Sequence, residues 1–237
     1  MSAVVQSRSC ADLTKLPGVW RGGEIDRSEA GVPTGHPELD RELPGGGWPR
    51  GTLTEILHDG VGLGEVSLLL GGLKRAAEEG RAIAWVNPPH LPYAPALALA
   101  GVPLDSCVGI RPLTNEDALW AAEQALRSGA CAAVLSWFSE KTDYAWLRRL
   151  QMAAQAGRAL AVLWRPSASA ALATPAHLRL VLTREEGSLA IRIPKRRGPP
   201  LTNPIRIANA LGRPRVACMA PSASRACGRP ALAACHR

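Results

Sequence analysis

The sequence predicts an α/β fold, a three-layer core with a mostly parallel central sheet, helices on both faces and a C-terminal β-hairpin. Three observations predict it. Short apolar runs alternate with helical segments of about 10–15 residues, the pattern of βαβ units. The run at 130–135 (ACAAVL) is apolar throughout, as a strand covered on both faces must be. Finally, 177–182 and 189–193 flank Glu185-Glu186-Gly187, two strands around a turn.

Taken in order, 52–57 (TLTEIL) has strand composition and ends at the turn His58-Asp59-Gly60. Residues 66–79 place Leu69, Leu73 and Ala76 on one helical face, and Gly80 stops the helix as a C-cap. A short strand at 82–86 (AIAWV) ends at Pro88-Pro89, which forbid its continuation. Residues 93–100 are helical, closed by Gly101, and 107–110 form another short strand. Thr114 followed by Asp117 makes a capping box, opening a helix that carries Leu119, Ala122 and Leu126 inward. Residues 143–156 align Trp146, Leu147, Leu150 and Ala154, and 159–163 (ALAVL) supply the next strand.

Three regions separate on composition: 1–32, an N-terminal docking segment, partly disordered; 33–198, the folded domain; and 199–237, a basic, disordered tail rich in Pro, Ala, Arg and Ser. The formal net charge is +8, yet nine of the 28 Lys and Arg residues fall in 195–237, which holds no acid. The remaining 19 face 20 acidic residues, so the body is nearly neutral. That excludes a generally basic, DNA-coating surface and leaves a basic arm. No run reaches the ~20 apolar residues of a membrane span, and the N-terminus lacks the pattern of a secretory signal. The six Cys show no CxxC pair, and Cys107 and Cys131 read as small buried hydrophobes. No metal site is expected, and a reducing, cytoplasmic location is.

The segment from Thr34 to Gly51 (TGHPELDRELPGGGWPRG) resembles the lead-in to the ATPase core of the RecA family, TG-x(3)-LD-x(2)-L-x(2)-GG-x-P-x-G. Gly80-Arg81 before a strand, Ala100-Gly101-Val102, and Ser128-Gly129-Ala130 before a strand follow the same order, so the resemblance covers about 33–195. Within that RecA/SulA-like superfamily, four strings resemble the ImuA family of bacterial mutagenesis cassettes: 32–57, 86–102 (VNPPHLPYAPALALAGV), 117–137 and 148–166. The resemblance implies a RecA-like core and three partners: an ImuB-type polymerase-like protein, an error-prone replicative-type polymerase and RecA.

A RecA-type ATPase needs a glycine-rich loop ending in Lys and Ser/Thr, whose amides cradle phosphates while Lys neutralises them and the hydroxyl binds Mg²⁺. Here the loop is His58-Asp59-Gly60-Val61-Gly62-Leu63-Gly64-Glu65-Val66, and the Lys position holds Gly64 or Glu65. A carboxylate ~4 Å from a phosphate charge, at an effective dielectric near 20, repels it by about 4 kcal/mol, more than several backbone hydrogen bonds return. Carried over from the family pattern, the water-activating glutamate falls on Pro89, the Mg²⁺ aspartate on Ser136 or Trp137, and the γ-phosphate sensor on Trp164-Arg165. The expectation is a protein with no cofactor and no ATP hydrolysis. Gly60, Gly62 and Gly64 then read as a tight strand-to-helix turn, the alternative being a residual anion site with Glu65 beside it.

Other candidates are His90, read as a surface or core histidine, and Glu185-Glu186, read as a solvated turn. Trp85 and Trp120 read as core. Leu16, Val19, Trp20, Arg21 and the loop residue Trp48 are the candidate protein-docking contacts. Weak, non-specific nucleic-acid contact falls to Lys195, Arg196, Arg197, Arg213 and Arg215. The connections that carry DNA-binding loops in RecA are short here, and 166–175 holds no basic residue. The functional expectation is a non-catalytic adaptor in damage-induced mutagenic translesion synthesis. The alternatives are a SulA-like inhibitor of cell division and a remodelled ATP-dependent recombinase.

Overall fold

The computed structural model describes residues 23–27, 29–60, 63–138, 142–185 and 188–208. Its strands are β1 (Thr52–Leu57), β2 (Ala82–Val86), β3 (Cys107–Ile110), β4 (Cys131–Trp137), β5 (Leu160–Arg165), β6 (Leu178–Glu185), β7 (Ser188–Lys195) and β8 (Ile205–Ala208). They form one sheet in the order β3-β2-β4-β5-β1-β6-β7-β8. Every pairing from β3 to β6 is parallel; β6–β7 and β7–β8 are antiparallel. The helices are α1 (Pro37–Asp40), α2 (Leu70–Ala77), α3 (Ala94–Leu99), α4 (Asn115–Arg127) and α5 (Tyr144–Gly157). Leu73 of α2 and Leu97 of α3 pack on one face with Trp85, Leu135 and Val162. Leu119 of α4 and Leu147 and Leu150 of α5 pack on the other with Val134, Ala161 and Leu163. The predicted α/β architecture is thus present, with β4, β5 and β1 central and buried along their length apart from the half-buried Trp137.

Local chemistry sets the helix ends. The Thr114 hydroxyl accepts from Asp117 N–H at 3.0 Å and donates to the Asp117 carboxylate at 2.8 Å, closing the capping box. Asp143 caps α5 through Trp146 N–H at 2.9 Å. The segment between β1 and α2 departs from the expected helix at residue 66: Ser67–Leu69 form a 3-10 turn, and the α-helix begins at Leu70.

The lead-in motif is a packing platform for α2. A Cβ on Gly71 would lie 2.3 Å from the Thr34 carbonyl oxygen, and one on Gly72 would lie 2.6 Å from Trp48 Cδ1. Only glycines let the helix approach this closely. Val32 and Trp48 exchange two backbone hydrogen bonds, at 2.8 and 2.7 Å, which hold the indole beneath α2. Trp48 is therefore completely buried, which corrects its reading as an exposed docking residue. Trp120, expected in the core, lies on the outer side of α4 and is exposed, because Ala118, Leu119 and Ala122 take the inward positions.

The region boundaries also shift. Residues 199–208 are not part of a disordered tail, since Ile205–Ala208 adds β8 to the sheet and buries Ile207. At the other end, Val32, Asp26 and Gly31 are tied to the domain: Gly31 N–H donates to Gly45 O and Asp26 N–H to Arg197 O. Residues 1–22 and 209–237, with Leu16, Val19, Trp20, Arg21, Arg213 and Arg215, lie outside the described residues.

One buried polar cluster crosses three strands. Glu55 on β1 accepts from Arg165 of β5 at 3.1 Å and from Arg179 of β6 at 2.7 Å, and all three side chains are buried. One further nitrogen of each guanidinium reaches carbonyls: Arg179 Nη1 donates to Ala170 and Leu172, each at 3.0 Å, and Arg165 Nη2 to Thr142 at 3.2 Å.

Candidate functional site

In open α/β sheets, ligands sit beyond the carboxyl ends of the strands. Here a cleft of about 590 Å³ opens there, at the ends of β1, β2, β4 and β5, between His58, Asn87, Trp137 and Arg165. Its floor is aromatic. Trp85 and Trp164 occupy the next-to-last positions of β2 and β5 and Trp137 the last of β4, with Trp137 and Trp164 side by side in register. Their rings stack, Trp137 on Trp164 at 4.2 Å between centroids and 2° between planes, and Trp85 to Trp137 at 6.0 Å and 12°. Trp85 and Trp164 are buried; Trp137 is half-buried and faces the cleft. Asn87, on the rim, has φ +54°, a left-handed conformation that a non-glycine residue adopts only when its surroundings fix it. Its N–H donates to Ile110 O at 2.9 Å and its side-chain amide to Trp137 O at 3.2 Å, bracing β3 and β4 across β2.

The start of the glycine loop, His58 to Gly60, lies along one wall. Gly60 has φ +80° and Gly64 φ +90°, and Gly62 lies outside the described residues. The two positive φ values give the tight turn read from the sequence a direct conformational reason. Glu65 is half-buried just before the 3-10 turn. Asp59 is the one carboxylate among the described residues lining the cleft, and it is engaged. The Ser167 hydroxyl donates to it, and Ser167 N–H donates at 3.0 Å. These two bonds hold the Asp59 carboxyl below the usual carboxylate range. Pro89 is on the rim, Ser136 is buried beside Val86 and Leu163, and Arg165 turns away to Glu55. His90 is exposed, as one of its two expected placements has it.

The basic candidates are not brought together as one free patch. Arg196 is buried against Glu42, bonding its carboxylate and its carbonyl, each at 2.7 Å. Arg197 pairs with Asp26 at 3.3 Å. Lys195 stays exposed and donates to Thr174 O at 2.8 Å. Of the five predicted nucleic-acid contacts three are described, and two of these, Arg196 and Arg197, fasten the segment just after β7 to the lead-in and to residue 26.

At the opposite pole of the sheet a second cleft, of about 390 Å³, lies between Asp26, Arg50, Gln151, Arg158, His177 and Arg197. Burial, then the nearby Arg197 and Lys195, push the His177 imidazole down to about 4, with Asp26 acting against them. Among the described residues no group of three or more His, Cys, Asp or Glu is placed to hold a metal ion. No described helix is long and apolar enough to cross a membrane.

The sequence reading missed the tryptophan stack and the Glu55 cluster. The stack has a signal, since AIAWV, CAAVLSW and LAVLWR each place Trp in the last two positions of a strand.

Residues 51–161 match the family described as cell division inhibitor SulA. A cell division inhibitor SulA from Pectobacterium carotovorum subsp. carotovorum is 31% identical over 122 residues, covering 50% of this chain and 71% of that protein. The chain belongs to the SulA family. A SulA from Edwardsiella piscicida is 39% identical over 102 residues, 43% of this chain and 60% of that protein. Protein RecA from Acholeplasma laidlawii is 35% identical over 112 residues, 46% of this chain and 33% of RecA. These relatives place the SulA-like chain in the wider RecA/SulA-like superfamily. It spans about three fifths of the Edwardsiella protein and a third of RecA. A crystal structure of SulA from Pseudomonas aeruginosa matches with 27% identity and a TM-score of 0.40, over 48% of this chain and 97% of that one.

Proposed function

We propose that this SulA-like chain is a non-catalytic accessory protein of SOS-induced mutagenic translesion synthesis, an ImuA-type adaptor that works by touching proteins. Its partners would be an ImuB-type polymerase-like protein, an error-prone replicative-type polymerase and RecA. The observation that carries the reading is the cleft. Where an ATPase of this architecture would need a lysine, a metal-binding acid and a water-activating acid, the positions hold Gly64 or Glu65, Ser136 or Trp137, and Pro89. Stacked indoles floor the space, and the one lining carboxylate among the described residues is occupied by Ser167. Further support comes from what lies outside the SulA match: the lead-in before residue 51 packs α2, and β6, β7 and β8 extend the sheet after residue 161. The test is deletion of the gene in its own cell. The expected result is loss of ultraviolet-induced mutation with little change in spontaneous mutation, and recovery of the polymerase-like protein on the tagged chain from damaged cells. Unchanged induced mutation contradicts the proposal.

The second reading, a SulA-like inhibitor of cell division, is favoured by the match over 51–161. Overexpression separates the two. Filamentation without any mutagenesis defect in the deletion supports the inhibitor; normal division with lost mutagenesis supports the adaptor.

A further inference from the structure

The pocket of about 390 Å³ at the amino ends of the strands presents polar groups that the fold leaves unused. Gln151 of α5 is buried, and its Oε1 accepts from the Thr52 hydroxyl at 3.2 Å and from Leu53 N–H at 2.9 Å. A backbone N–H can only donate, so the amide oxygen must face β1. The amide nitrogen is left to the pocket, and no described residue accepts from it. A donor removed from water is destabilising until it is bonded, so its acceptor must enter through the pocket. His177, half-buried on the same lining, is neutral at pH 7 and offers one ring donor and one ring acceptor, neither bonded to a described residue. Among the described residues five charged side chains line the pocket. Arg197 pairs with Asp26 and Arg50 with Glu79, which leaves Arg158 and Glu29. Arg158 is exposed, and its guanidinium makes no ion pair or hydrogen bond with any described residue. It ends α5 at φ +52°, a left-handed conformation that glycine normally takes. An arginine held where glycine would be unstrained marks a position used for more than ending a helix.

We infer that this pocket binds a carboxylate with an amide beside it, the chemistry of a peptide's C-terminal end or of an N-acylated amino acid. Arg158 takes the carboxylate through its fork of N–H donors. Gln151 Nε2 donates to the amide carbonyl, and the His177 imidazole accepts from the amide N–H. Pro49, Met152 and Leu178 supply the apolar part of the lining. Charge selects a carboxylate over a phosphate. A phosphate dianion would meet one free guanidinium together with Glu29, an acid that no described residue pairs, whereas a monoanion matches the single cation. The pocket lies at the opposite end of the sheet from the tryptophan-floored cleft, so this inference stands apart from the adaptor reading.

Titration of the ¹⁵N-labelled full chain with N-acetylglycine at pH 7, followed by amide NMR, tests this. The expected result is saturable movement of the Gln151 side-chain NH₂ signals, with a dissociation constant on the order of 1 mM. N-acetylglycinamide lacks the charge and acetate lacks the amide, so each should bind about tenfold more weakly, and inorganic phosphate likewise. Arg158→Gly separates binding from folding. Glycine relieves the left-handed residue and should raise the melting temperature by about 2–4 °C. The same variant should weaken N-acetylglycine by about tenfold or more and leave N-acetylglycinamide unchanged. No saturable movement at Gln151 overturns the inference. So does N-acetylglycinamide, acetate or phosphate binding as tightly as N-acetylglycine, or an Arg158→Gly variant that binds it like the wild type.

Discussion

Replacing Glu55 by Ala tests the buried cluster most sharply. The carboxylate is inaccessible to solvent and neutralises two guanidinium groups, Arg165 at 3.1 Å and Arg179 at 2.7 Å, which are themselves buried. Removing it leaves two like charges in the sheet without their counterion, the situation that costs about 3–5 kcal/mol where a buried pair is broken. The exposed pair Arg206–Glu185, at 3.2 Å, provides the contrast, because screening and side-chain entropy leave such pairs worth about 0–1 kcal/mol. Urea unfolding followed by tryptophan fluorescence reads both. With a slope near 2 kcal/mol per molar, Glu55→Ala should lower the midpoint by roughly 1.5–2.5 M, and Arg206→Ala by less than about 0.5 M. If Glu55→Ala shifts the midpoint no more than Arg206→Ala at unchanged slope, the cluster does not carry the stability assigned to it.

Other substitutions follow from single contacts. Gly71→Ala should destabilise, because a Cβ 2.3 Å from the Thr34 carbonyl oxygen costs about 1–3 kcal/mol of overpacking against about 1 kcal/mol of helix propensity gained; a rise in the melting temperature would refute the close approach. Trp137→Leu should remove the stacking on Trp164, about 0.5–1.5 kcal/mol beyond its buried area, and collapse the near-ultraviolet circular dichroism of the indole stack; an unchanged spectrum would refute the stack. His177 is held down to about 4 in the folded chain, against about 6.5 when unfolded, so the unfolded chain binds the extra proton between those values. Its contribution is therefore full above about pH 6.5 and is lost as pH falls towards 4. His177→Gln should lose less stability than the wild type between pH 7 and pH 4.5, and equal losses would contradict the burial.

The architecture was legible because each element announced itself locally. Apolar runs bounded by Gly and Pro gave β1, β2, β4 and β5, and Thr114 with Asp117 gave the start of α4. Residues whose role depends on distant partners were not legible. Trp48 sits between Gly47 and Pro49, which reads as an exposed loop, and only the glycine pair in α2 shows that a helix closes over it. Trp120 lies in an apolar helical context, yet its neighbours Leu119 and Ala122 take the inward face. The alternation Ile205-Arg206-Ile207 is a strand signal that the surrounding Pro- and Arg-rich composition obscured. At the candidate site, the sequence displays Gly64 or Glu65, Pro89, and Ser136 or Trp137 at the positions where the resemblance places a lysine and two acids. The stack that floors the cleft needed the parallel register to bring Trp137 beside Trp164, with Trp85 set against Leu135 two positions back.

The proposal that this chain acts without nucleotide turnover is tested most directly by phosphate release from ATP. The purified full-length protein should be assayed with Mg²⁺, with and without single-stranded DNA, beside a RecA control. The expected result is release at the buffer blank in both conditions. Hydrolysis that DNA stimulates and that changing Gly60, Gly64 and Glu65 abolishes would contradict it.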